Sequence, residues 1–218
     1  MRMSRRLAGL SLGVAIAVGG SLTVSPAASA APAAPATASA TGTTSLASVL
    51  LKDKSGFDHN DKDYDVLTAA VLAVLKARPH SKVSVLTKGN VALTAFLPDD
   101  RAFRLLVEDI TGKDYTSEKD VFTKVASLGI PTVEAVLLYH VVPGATITGA
   151  QAAKANGVKL TTAQGGKITV HVFKNHKISL VDADTNDRDP KVIKTDINKG
   201  NKQIAHGIDR VLRPINLP

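Results

Sequence analysis

The amino-acid sequence predicts an α+β fold, helical in its first half and β-rich in its second. Between Thr44 and Tyr139 apolar residues recur at intervals of three and four, the repeat of helices that bury one face. Beyond Pro143-Gly144 the period falls to two, with Ile168, Val170 and Val172 alternating with Thr169, His171 and Phe173. The composition, 44% hydrophobic and 21% charged over 218 residues, suits one globular domain with a sizeable core and not a disordered chain. Helices followed by antiparallel strands, instead of alternating with them, argue against a parallel doubly wound sheet.

Each element follows from a local signal. Leu46, Val49 and Leu50 suit a short helix, and a polar loop runs from Lys52 to Asp65. Val66 to Ala77 reads as a helix with a broad buried face, stopped by Pro79. Val91 to Leu97 is a short apolar strand closed by Pro98, whose ring removes the amide a ladder needs. Asp99 and Asp100 then open a helix carrying Ala102, Phe103, Leu105 and Leu106, because a carboxylate accepts the free amides of a first turn. Residues 119 to 139 give two helical pieces divided at Gly129-Ile130-Pro131. Ile168 to Val172 and Ile178 to Leu180 form a hairpin around Lys174 to Lys177, and Val192 to Ile197 and Ile204 to Leu212 supply two further strands.

The N-terminus has a different character. Arg2, Arg5 and Arg6 precede an apolar stretch from Leu7 to Val18, and Ala28-Ser29-Ala30 has the small-residue pattern of a cleavage site. Residues 1–30 are therefore expected to be a secretory signal, since the run is broken by glycines and falls short of the ~20 residues a membrane span needs. Residues 31–43, all Ala, Pro, Thr, Ser and Gly, read as a flexible linker, leaving 44–215 as the domain. Loss of the three signal arginines lowers the formal charge from +8 to +5, and most of that lies in residues 188 to 218. Such a basic end suits either contact with anionic polymers or a plain solvated surface. Export and 4% aromatics argue against nucleic acid as a partner.

Reactive chemistry is sparse. With no Cys there is no disulfide framework, thiol catalysis or lipid-modified cysteine. Beyond the expected signal, whose Gly9 to Gly13 has the Gly-x-Ser-x-Gly spacing, no Gly-x-Ser-x-Gly, His-Glu-x-x-His or phosphate-binding glycine loop occurs. His171 and His176 lack a third ligand at clear spacing, so no metal is assigned to them. Asp182, Asp184 and Asn186 have the one-three-five spacing of a calcium loop, joined by Asp187 and Asp189, and Asp61, Asp63 and Asp65 repeat it. Position six of an EF-hand would fall on Asp187 or Val66 where Gly is needed, and position twelve on Ile193 or Leu72 where Glu is needed. Both stretches read as polar turns that hydrogen-bond their own backbone.

Three ordered segments resemble a fasciclin domain: Ala95-Phe96-Leu97-Pro98-Asp99-Asp100-Arg101-Ala102-Phe103, Leu137 to Gly144 around Tyr139-His140, and His206-Gly207-Ile208-Asp209-Arg210-Val211-Leu212. The resemblance implies a β-sandwich or wedge with helices packed around it, in a secreted, monomeric, non-enzymatic module for adhesion or matrix contact, with no cofactor. It implies structural roles for Phe96, Pro98, Asp100, Phe103, His206 and Asp209. It also implies partner contact by Tyr139 and His140 and by Asp196 and Ile197, although rings set between Leu138 and Val141 equally suit a core. Asn198 departs from the family pattern, which has Leu or Met there, and Lys202-Gln203 stands where Asn-Gly is usual. The expected partner is an extracellular protein or polysaccharide at a cell surface or in a matrix. The other reading is a soluble binding protein for a small molecule or an anionic glycan.

Overall fold

A computed structural model describes residues 42–216. The expected secretory signal, residues 1–30, and residues 31–41 of the expected linker lie outside the described residues. Among the described residues there are six α-helices: α1 (Leu46–Leu50), α2 (Asp65–Ala77), α3 (Asp100–Thr111), α4 (Glu118–Ser127), α5 (Ile130–Tyr139) and α6 (Gly149–Ala152), with a 3₁₀ turn at Lys82–Thr87. Seven strands accompany them: β1 (Leu93–Pro98), β2 (Val141–Pro143), β3 (Lys159–Thr161), β4 (Lys167–Val172), β5 (Ile178–Val181), β6 (Val192–Ile197) and β7 (Gln203–Ile208). Gly42 already joins this body, donating to Gly200 O and accepting from Lys202 N, both at 2.9 Å.

The strands form a four-stranded sheet in the order β2-β1-β7-β6 and a three-stranded sheet β3-β4-β5. The expected hairpin is β4-β5, with Val170 opposite Leu180. The strands of the second half pair antiparallel with one another as expected, whereas β1 of the first half and β7 run parallel, from Leu93 opposite Gln203 to Pro98 opposite Ile208. Parallel neighbours need a long crossover. Here it contains α3 to α6 and the whole second sheet, so no local pattern announces it.

Period-two alternation divides β1 between two cores. Leu93, Ala95 and Leu97 point to the helices, where Val66, Ala70, Val74, Phe103 and Leu106 complete the first core. Phe96 points the other way, and with Val142 and Ile208 it meets Ile168, Val170, Ile178 and Leu180 of the second sheet. The four-stranded sheet thus carries helices on one face and a sheet on the other. Buried polar groups on it are satisfied: the Thr94 hydroxyl donates to Ala145 O and accepts from Ile147 N, and Gln203 bonds Leu46 N, Val85 O and Lys88 O.

Helix starts show how sequence sets local structure. Asp99 accepts from Ala102 N at 2.8 Å and caps α3 as expected. Gly129, at φ 85°, makes the turn between α4 and α5, a conformation that favours glycine. Helix α2 has no side-chain cap of its own. Its cap comes from α3, where the fully buried Asp100 accepts from Asp65 N at 3.1 Å and from Val66 N at 2.9 Å.

Candidate functional site

Tyr139 and His140 end α5 and lie inside the domain. Tyr139 is 1% exposed, and its hydroxyl donates to Lys167 O at 2.8 Å, tying α5 to the second sheet. The ring passes so close to Gly166 that a β-carbon there would meet it at 2.7 Å. Burial, then the charge of Asp182, pushes the phenol up to about 12. His140 is 4% exposed. Its Nε2 accepts from Leu212 N at 2.9 Å, so Nδ1 carries the hydrogen and donates to Val136 O at 2.7 Å. Burial lowers its pKa to about 4, against the opposing pull of the Val136 carbonyl, and the ring is neutral at pH 7. Neither side chain presents a surface to a partner in this conformation.

The second predicted pair sits at the end of β6. Asp196 is half-buried at φ 61°, and its carboxylate accepts from Gly149 N at 2.7 Å at the start of α6. Its amide donates to His206 Nδ1 at 3.3 Å, while His206 Nε2 donates to Ile147 O at 2.8 Å. Burial holds His206 below its ordinary pKa, despite the Ile147 carbonyl and the Asp196 carboxylate. Ile197 packs partly against the first core. Asp209 fastens β7 to the approach of β6 by accepting from Lys191 N at 2.6 Å. Asp196 and His206 therefore meet, whereas Tyr139-His140 belong to a different corner.

Around this corner β6 is the edge of its sheet and is mostly uncovered. Lys191, Lys194, Thr195 and Lys199 are exposed, and Ile193 is 54% exposed. The register against β7 slips twice, between Val192 and Lys194 and again before Ile197, which bends this edge. Elsewhere an apolar cleft of about 540 Å³ opens between Leu106, Ile110, Leu128, Val136, Val211 and Ile215.

The two acidic stretches differ in their surroundings. In the segment 182–189, Asp182 accepts from Arg213 N at 2.8 Å and from Asp184 N at 2.9 Å. The buried Arg213 guanidinium reaches Asp184 and Asp187, both at 3.2 Å, and also pairs with Asp109. Arg210 adds a second cation on Asp187 at 3.1 Å. Burial would depress the Arg213 pKa, but Asp109, Asp187 and Asp184 outweigh it and hold it above its ordinary value.

The other stretch converges on the N-terminal ends of α2, α3 and α4. Asp65, Asp100 and Glu118 are the first residues of these helices, and all three are buried. Glu118 Oε2 accepts from Asp58 N at 2.8 Å, and Asp63 accepts from the Asn60 side chain at 2.8 Å. One oxygen each from Asp58, Asp65 and Glu118 lie within 4.8 Å of one another, and so do those of Asp63, Asp65 and Asp100. Burial first, then Asp63, Asp53, Glu118 and Asp58, pushes the Asp65 carboxyl up to about 6. Burial and a hydrogen bond with Asp63 push Asp100 well above the usual carboxylate range, against the Val66 and Asp65 amides. Asp61 is drawn away into an ion pair with Arg104. Sequence reasoning missed Asp100 and Glu118 as members of this group, since neither has a local spacing to Asp65.

A mixed sheet with helices on one face and a second sheet on the other defines an α+β domain of distinctive architecture. Residues 66–214 match the fasciclin domain family, and the chain belongs to it. The fold is similar to a FAS1 domain pair from the insect cell adhesion molecule fasciclin I, with a TM-score of 0.54 and 17% sequence identity. That match covers 79% of this chain and 51% of the other, so the chain spans about half the length of the fasciclin I structure. Comparison with curated proteins finds no match. Fasciclin domains are generally adhesion or interaction modules, usually extracellular and typically non-catalytic. Among the described residues no single helix is long and apolar enough to cross a membrane.

Proposed function

We propose that this protein is a secreted, non-enzymatic interaction module that contacts protein or polysaccharide of a cell surface or matrix through the β6 edge. The observation that carries this reading is the uncovered stretch Ile193-Lys194-Thr195, flanked by Lys191 and Lys199 and leading into Asp196-Ile197. An exposed isoleucine among lysines on a bent sheet edge offers apolar contact and cationic attraction together, while the lysines and the bulges oppose pairing by another strand. Asp196 and Ile197 shape this edge from beneath, and Tyr139 and His140 support the fold behind it.

The chain beginning at residue 31 should bind isolated cell-wall material or immobilised matrix protein, with affinity falling as salt rises. An Ile193→Asp, Lys194→Glu double variant with unchanged melting temperature should bind about tenfold more weakly. Equal binding by the folded variant at every salt concentration would remove β6 from the account. The apolar cleft favours a second reading, a binding protein for a small apolar molecule, and binding lost on Leu128→Asp or Ile215→Asp, both exposed in its lining, but kept in the β6 variant would select it.

A further inference from the structure

We propose that Asp58, Asp65 and Glu118, with Asp63 beside them, form a binding site for a hard divalent cation of the Ca²⁺ type. Helix N-termini attract carboxylates, and capping alone accounts for Asp100, whose two oxygens are both used on α2 amides. It does not account for the others. Asp65 Oδ2 and Glu118 Oε1 are shielded from solvent and have no hydrogen-bond partner, and the two residues are only 8% and 2% exposed. Leaving buried carboxylate oxygens unpaired is costly, so such a group implies a counter-charge. Among the described residues no Lys, Arg or His forms an ion pair with any of the four, and Arg104 pairs with Asp61 instead.

The donor set selects the kind of cation. All donors are carboxylate oxygens, which suit Ca²⁺, Mg²⁺ or Mn²⁺ and not softer metals. Oxygens within 4.8 Å of one another need close by only a few tenths of an ångström to share an ion at about 2.4 Å from each, the Ca²⁺ distance. Asp65 and Glu118 stand on helices, whereas Asp58 comes from an exposed loop that can adjust, and Ca²⁺ tolerates such irregular coordination better than Mg²⁺.

The test uses the chain beginning at residue 31 at pH 7.5 and constant ionic strength, in EDTA, in 5 mM CaCl₂ and in 5 mM MgCl₂, with calorimetric titration alongside. Ca²⁺ should bind one ion per chain and raise the melting temperature by about 3–8 °C, with a smaller effect of Mg²⁺. Asp65→Asn and Glu118→Gln should stay folded in EDTA and lose the response, while Asp187→Asn should keep it. A flat titration of the wild-type chain would overturn the proposal and leave protons shared among the carboxyls as the explanation. A response that survives Glu118→Gln would overturn it equally.

Discussion

The stretches 58–65 and 182–189 have nearly the same sequence character and opposite electrostatic surroundings. Both present acidic or amide side chains at alternate positions. In the second, the C-terminal segment folds back so that Arg213 and Arg210 neutralise Asp184 and Asp187. In the first, three helices deliver more carboxylates to the same place, and the cation that reaches the stretch, Arg104, pairs with Asp61 and leaves Asp58, Asp65 and Glu118 without a counter-charge. Spacing along the chain therefore says little about what an acidic turn does. What decides is which charges the tertiary fold brings against it.

The largest effect should come from breaking the neutralised side of this comparison. Arg213→Met removes a 6% exposed guanidinium from Asp184, Asp187 and Asp109, and should cost about 3–5 kcal/mol in urea unfolding. A loss below about 1 kcal/mol would mean that the network is solvated and that the two stretches differ less than their geometry suggests.

Acid sharpens the comparison once the His140 contribution is separated. Its folded pKa near 4 lies below the ordinary histidine value of 6.5, so the unfolded chain binds the extra proton first. Its contribution is fully present above pH 6.5 and is lost as pH falls towards 4, by up to about 3 kcal/mol. Val136 O and Leu212 N are its polar contacts, neither of them charged. His140→Gln should therefore flatten the pH dependence of stability in that window, and an unchanged slope would assign the acid sensitivity to the carboxylates.

The smallest stability effect is expected at Lys199, which reaches Asp196 at 3.5 Å with its side chain 70% exposed. Lys199→Ala should change stability by less than about 0.5 kcal/mol while weakening binding at low salt. Lost stability without lost binding would make β6 a structural edge.

The long periodic elements were legible from sequence because packing there obeys local spacing. Helix α2, the Asp99 cap, the break at Gly129-Ile130-Pro131 and the β4-β5 hairpin are all written within a few residues. Strands β2 and β3 and helix α6, at three or four residues each, are too short to show a period. The parallel pairing of β1 with β7 joins residues more than a hundred positions apart and leaves no local trace. The acidic group shows the same limit. Asp61, Asp63 and Asp65 are visible as a spaced set, yet Asp61 turns to Arg104, and Asp65 is joined by two further buried carboxylates, Asp100 and Glu118, from distant helices. The burial of Tyr139 and His140, by contrast, accords with rings placed between Leu138 and Val141.

The most direct test of the contrast between the two stretches is an amide-resolved NMR titration of the chain with Ca²⁺ at constant ionic strength. Saturable one-to-one shifts centred on Asp58, Asp65 and Glu118, with Asp182 to Asp189 unmoved, are the predicted result. Shifts centred on Asp182 to Asp189, or none that saturate, would contradict it.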